Sequence, residues 1–185
     1  MKTERYNFYK EIKLQNVCET NKIRPIMECI LFDEGNAIAS DGHILISCPI
    51  ELISNLRQID IDKLNGHLIY KKDFATLVKM SVIKEINENE IIANDKDNEE
   101  ISIKLIKNNF ENYRYPNYKK VLKYFLQIKE GKCDVSLNVK DLVRLCSALN
   151  QENPIFHINS HDKAVIVKFR KPYESVKALI VPKCV

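Results

Sequence analysis

The 185-residue sequence predicts an α+β fold dominated by antiparallel sheet, with helices laid on one face. Two observations carry this expectation. Short apolar alternating runs, bounded by polar turns, recur along the whole chain. Two amphipathic helical patterns each follow a short strand-like run, and each such unit is opened by one of only four glycines. No β-α-β alternation of the kind that builds a parallel sheet is present.

In the N-terminal third, up to about Ile61, strands are readable without a convincing helix. Residues 26–33 and 36–48 form a hairpin pattern, with Asp33-Glu34-Gly35-Asn36 as its turn. The first strand–helix unit follows Gly66. His67–Tyr70 reads as a strand, and Phe74, Leu77, Val78, Ser81 and Val82 then recur at helical spacing, with Lys72, Asp73 and Lys79 off the stripe. The second unit follows Gly131. Asp134–Leu137 reads as a strand, Asn138 as an N-cap, and Leu142, Leu145, Cys146 and Leu149 as the buried stripe, with Lys140 and Arg144 off it. That helix must end before Pro154. After each helix come alternating strands, Ile101/Ile103/Leu105 and Val165/Val167/Phe169, hinged at the polar turns 94–98 and 159–163. The two units are an internal repeat offset from Lys72-Asp73 to Lys140-Asp141. Residues 112–121 mix tyrosines with basic side chains, the texture of a nucleic-acid stacking platform, but Pro116 argues instead for an extended connector pinned to the body by its tyrosines. The tail from Lys177 to Val185 reads as an apolar strand.

Composition narrows the function. Lys and Arg number 29 against 25 Asp and Glu, a net +4 that implies no strong general affinity for nucleic acid but leaves room for a local basic face. No apolar run approaches the ~20 residues of a membrane helix. The polar N-terminus does not resemble a secretory signal, so a cytoplasmic location is expected. The six cysteines form no C-x-x-C pair and are expected to be reduced and structural. Glycine-rich phosphate loops are absent. The four histidines are scattered, so neither a metal nor a cofactor is expected. Ser40-Asp41-Gly42-His43 carries the residue types of a hydrolase, with Asp41 and His43 as its working pair. Neighbours in one tight turn are, however, poorly placed to form a nucleophile–base–acid chain, and a backbone-capping turn is the expected role. Lys72, Lys79, Lys140 and Arg144 occupy equivalent helix faces in the repeat and could contact DNA phosphates without reading bases.

Four segments in order resemble the bacterial DNA polymerase III beta subunit, the sliding clamp. Ala39-Ser40-Asp41-Gly42-His43-Ile44-Leu45 is similar to the clamp turn A-T-D-G-H-R-L, and Arg24–Phe32 to the arginine-led strand before it. Pro116-Asn117-Tyr118-Lys119-Lys120-Val121 is similar to the connector P-D-Y-R-R-V, and Val181-Pro182-Lys183-Cys184-Val185 to the end M-P-M-R-L. The resemblance implies a clamp-like domain over 1–125, like the middle clamp domain with its first helix reduced. It implies half a clamp domain over 130–185, like the second half of the last one. It further implies a non-enzymatic processivity factor of DNA replication, whose groove binds short hydrophobic peptide motifs of a polymerase or clamp loader. That groove would be walled by Met27, Ser40, Gly42, His43, Ile44, Leu45, Pro116, Lys120, Val121, Leu179, Val181, Pro182, Lys183, Cys184 and Val185. Double-stranded DNA and further copies of the chain are additional expected partners. An interaction module without DNA binding, competing for clamp partners, is the alternative. Ile44 stands where the family turn has arginine, and Lys183 and Cys184 where its tail has methionine and arginine.

Overall fold

The structure is a computed structural model and describes residues 5–19, 24–80, 82–109, 114–126, 135–158 and 164–182. Strands β1 (Cys29–Asp33), β2 (Asn36–Ser40) and β3 (Ile44–Pro49) come first. They are followed by helix α1 (Gln58–Leu64), β4 (His67–Tyr70) and α2 (Lys71–Leu77). Strands β5 (Val82–Ile86), β6 (Glu90–Asn94), β7 (Glu100–Lys104) and β8 (Ile106–Lys107) lead to α3 (Tyr118–Leu126). Helix α4 (Val139–Ala148), β9 (Ile155–His157), β10 (Val165–Lys168) and β11 (Lys177–Ile180) complete the chain. Eight strands form one sheet in the order β8-β4-β1-β2-β3-β11-β10-β9, and β5-β6-β7 form a second; every pairing is antiparallel.

The expected hairpin is present, with both central turn residues at positive φ (Glu34 at 48°, Gly35 at 72°). That is the backbone twist a two-residue connection between antiparallel strands requires. Residues 25–28, expected at the start of the first strand, instead make one 3-10 turn, entered by Pro25. A single 3-10 turn at Leu14–Asn16 stands ahead of the first strand. Helix α1 was not legible in the sequence. Helix α2 matches its pattern through Phe74, Leu77 and Val78 and then stops. Lys79 and Met80 close short bonds to Thr76 and Leu77, and Val82 opens β5, where Ile83 bridges Tyr6. Ser81 lies outside the described residues.

The central strands of the large sheet are buried on both faces, and strict alternation decides which residue meets which layer. Ile30, Phe32, Ala37, Ala39, Ile44, Ile46, Ala178 and Ile180 belong to the main core, with Phe8, Phe74, Leu77 and, from α4, Leu145, Ala148 and Leu149. Cys29, Leu31, Ile38, Leu45, Leu68 and Leu179 point the other way, into a second cluster closed by Tyr115, Tyr118 and Leu122. Of residues 112–121, expected as an extended connector, Arg114–Asn117 carry no regular element, with the Tyr118 amide bonding back to the Pro116 carbonyl at 2.7 Å, and 112–113 lie outside the described residues. From Tyr118 the chain forms α3, because Tyr118, Val121 and Leu122 recur at helical spacing over apolar sheet surface. The expected pinning by tyrosines is present, since Tyr115 and Tyr118 are buried.

The second repeat unit joins the sheet of the first: β11 pairs with β3 from Lys177↔Ser47 to Ile180↔Ile44, and one core runs beneath both. Helix α4 starts at the position equivalent to the start of α2, and Asn138 caps it by accepting the Lys140 amide at 3.0 Å. Of the strand expected over 134–137, Val135–Leu137 have no strand partner among the described residues, and Asp134 lies outside them. The turn expected at 159–163 lies outside them also.

Phe8 is fully buried, edge-on to Phe74 with ring centroids 5.3 Å apart. Phe8→Ala is expected to cost about 3–5 kcal/mol in urea denaturation, the usual loss for an emptied aromatic core site. Cys18, Cys29, Cys48 and Cys146 are free thiols. Burial pushes Cys29 and Cys48 up to about 12 and Cys18 further still. Because thiolate is the reacting form, iodoacetamide near pH 8 should modify these three at least about 100-fold more slowly in the native protein than in urea.

Candidate functional site

The turn between β2 and β3 is built from its own polar side chains. One Asp41 oxygen, Oδ1, accepts the amides of His43 at 2.8 Å and Ile44 at 2.9 Å. Ser40 Oγ donates to the Ile44 carbonyl at 2.7 Å and accepts the Gly42 amide at 3.1 Å. Gly42 has φ +93°, a conformation that favours glycine, and a Cβ there would stand 3.2 Å from the tip of the Arg24 side chain, which would have to shift slightly. The Ser40 proton goes to a carbonyl oxygen and Asp41 caps amides. This is the turn role the sequence predicts and leaves the hydrolase reading no nucleophile geometry.

The second Asp41 oxygen, Oδ2, meets Arg144 Nη1 at 2.6 Å. Arg144 also pairs with Asp141 at 3.3 Å and donates to the carbonyls of Asn16, Val17 and Cys18. Each guanidinium nitrogen thus has an acceptor within the chain, across a gap of more than a hundred residues. The sequence places Arg144 on a solvated helix face with the lysines. The structure turns it inward, because Asp41 and Asp141 are buried carboxylates that need a cation. The same pull rotates α4, so that its buried face centres on Asp141, Leu145 and Ala148, while Leu142 and Cys146 are half-buried. Lys72, Lys79 and Lys140 are exposed.

Residues predicted from four distant segments meet at one corner. Leu45 lies opposite Leu179 in the β3–β11 ladder, and the Val181 amide donates to the His43 carbonyl at 2.8 Å, so tail and turn are adjoining. Met27 comes within 4.0 Å of the Cβ position at Gly42. Val121 packs on the cluster that holds Leu45 and Leu179. Exposure divides the set. Met27, Ser40, Ile44, Leu45 and Leu179 are buried, Val121 and Pro182 are half-buried, and Gly42, His43, Pro116, Lys120 and Val181 are exposed. Lys183, Cys184 and Val185 lie outside the described residues. The corner is therefore an apolar floor overlaid by Tyr118 and Leu122, with an accessible rim.

Sequence reading missed the anchor of α3. The Tyr118 hydroxyl donates to Asp33 at 2.8 Å, and Lys119 pairs with Asp33 at 2.7 Å and Glu34 at 2.9 Å. Beside it lies a cavity of about 160 Å³ lined by Leu31, Asp33, Tyr115, Pro116 and Tyr118. The helical spacing of Tyr118, Val121 and Leu122 was the available signal. Among the described residues no cluster of three or more metal-ligating side chains occurs, and no helix is long and apolar enough to cross a membrane.

Antiparallel sheets carrying strand–helix repeats, with a capped Ser-Asp-Gly-His turn adjoining the C-terminal strand, make a clamp-like fold. The fold is that of the bacterial DNA polymerase III beta subunit, the sliding clamp. The clamp of Caulobacter crescentus superposes with a TM-score of 0.61 at 13% identity, over 98% of this chain and 65% of that one. The Bartonella birtlesii clamp, solved bound to griselimycin, gives 0.57 at 14% identity, over 100% and 68%. The Pseudomonas aeruginosa clamp gives 0.56 at 12% identity, over 98% and 67%. The chain thus spans about two thirds of the length of these clamps. No protein-family model and no curated protein matches the sequence.

Removing Arg144 leaves two buried carboxylates without their cation. Arg144→Met is expected to lower stability by about 2–4 kcal/mol in chemical denaturation, the partial exposure of the arginine moderating the full cost of a broken buried pair. Arg144→Lys should recover less than half of this, because an ammonium cannot serve two carboxylates and three carbonyls at once.

Proposed function

We propose that this chain is a non-enzymatic, sliding-clamp-like protein of DNA replication, and that it binds a short hydrophobic peptide segment of a replication partner at the corner between turn, tail and α3. The observation that carries this is the Val181–His43 main-chain bond together with the Leu45↔Leu179 pairing. Turn and tail, two of the segments drawn from the clamp resemblance, are adjoining on a fold that superposes on clamps along the chain, and this supports the reading. The peptide's apolar side chains would rest on the rim of Val121, Val181 and Pro182, over the floor of Leu45 and Leu179. His43 and Lys120 would supply polar contacts. An apolar rim with few polar groups gives affinity mostly through burial and orientation through the few.

Contact with DNA backbone is the weaker component of the reading. With Arg144 turned inward, Lys72, Lys79 and Lys140 remain for it, and the outward face of α4 carries Val139 and Val143. This favours the interaction-module alternative, in which peptide binding proceeds without DNA.

A fluorescent peptide carrying a glutamine-led hydrophobic clamp motif should bind the wild type with micromolar affinity. Val181→Asp is expected to weaken it about tenfold or more, since it replaces an exposed apolar contact with a charge. Lys72→Glu should leave it unchanged. No binding by the folded wild type, or equal binding by Val181→Asp, would overturn the assignment. If DNA is bound, duplex titrations should show affinity falling steeply with salt and no sequence preference.

A further inference from the structure

The face of the large sheet on which Tyr118 and Leu122 pack continues outward onto β10 and β9. Register arranges its residues in rows across the strands. One row runs from Leu45 through Leu179 and Ile166 to His157, the last two half-buried. Two positions further along each strand, on the same face, stand Ser47, Lys177, Lys168 and Ile155. Lys168 and Lys177 follow the Val167↔Ala178 pair by one step, so the two lysines face each other across β10 and β11.

Both lysines are exposed, and among the described residues neither has a carboxylate partner. Arg170 and Lys171 add to the charge at the end of β10, and Glu174 is the one acid between Val165 and Ile180. Like charges directly opposite on antiparallel strands repel. Lysines on an edge strand can serve to block strand addition. That purpose does not apply here, because β10 and β11 are interior strands and the edge, β9, carries Ile155, Phe156 and His157.

We propose that the Lys168–Lys177 pair docks an acidic stretch flanking the hydrophobic motif of the partner peptide, an inference that rests on the peptide reading of the corner. A carboxylate seated between the two ammonium groups accepts from both and turns their repulsion into charge-assisted hydrogen bonds. The surface is continuous with the corner. Lys177 lies four residues before Val181, about 13 Å at strand spacing, so a partner seated at the corner needs only a few more extended residues to reach it. Duplex DNA fits less well, because its affinity comes from neutralising many phosphates together. Lys72, Lys79 and Lys140 belong to α2 and α4, which pack against the opposite face of the sheet and cannot join the same contact.

Fluorescence anisotropy tests this with the glutamine-led hydrophobic motif alone, and with the same motif carrying a run of Asp and Glu beyond a short Gly-Ser spacer at either end. At low salt one of the acidic extensions should tighten binding to the wild type about tenfold. Most of that gain should be lost at about 0.5 M salt. Lys168→Glu and Lys177→Glu should each abolish the gain while binding the unextended motif as the wild type does. Each reversal sets opposite charges across the strands, so neither should lower the melting temperature. If the unextended motif binds and neither extension improves it, this inference fails and the corner reading stands. If the unextended motif does not bind, both fall. A gain that survives both reversals would also overturn the assignment. So would duplex or single-stranded DNA that binds the wild type and is lost in the reversals, which would give the lysines to a phosphate ligand instead.

Discussion

Arg144 and Asp41 set the condition on which the rest of this structure rests. The turn between β2 and β3 leaves a buried carboxylate with one oxygen free after its amides are capped, and burial without a partner would be costly. The guanidinium that answers it comes from α4, in the last third of the chain, and its remaining donors fasten the carbonyls of Asn16, Val17 and Cys18. One side chain thus joins the 3-10 turn before β1, the β2–β3 turn and the second repeat. The β3–β11 ladder and the placement of Val181 beside His43 are built against that joint.

The same joint separates scaffold from surface. A cation committed to two carboxylates and three carbonyls serves architecture, and what remains for partners is the rim of the corner and the lysines on α2 and α4. Helix α3 adds a second constraint. By packing Tyr118 and Leu122 with Leu45 and Leu179, and by tying Lys119 to the hairpin turn, it keeps the deeper apolar residues buried and leaves Val121, Val181 and Pro182 more accessible.

Much of this was legible in the sequence. The β1–β2 turn, His67–Tyr70, the start of α2 and the Asn138 cap follow from local chemistry, since turn residues, alternation and capping act over a few positions. The clamp-like fold was legible through the likeness of four segments to clamp ones. Three features were not. Helix α1 is short and its pattern weak. Helix α3 was obscured by Pro116, which does not forbid a helix starting at Tyr118. Arg144 read as one more surface cation because its acceptors lie far away in sequence, and periodicity carries no information about a distant carboxylate. The strand expected at Val135–Leu137 shows the complementary limit: a strand-forming pattern becomes a strand only where an edge receives it.

The central claim, that turn, tail and α3 together form the partner site, is tested most directly by amide hydrogen exchange with and without a clamp-motif peptide. The account predicts added protection confined to residues 40–45, 178–182 and 116–122. Protection centred on α2 or on the outer face of α4, with the corner unchanged, would contradict it.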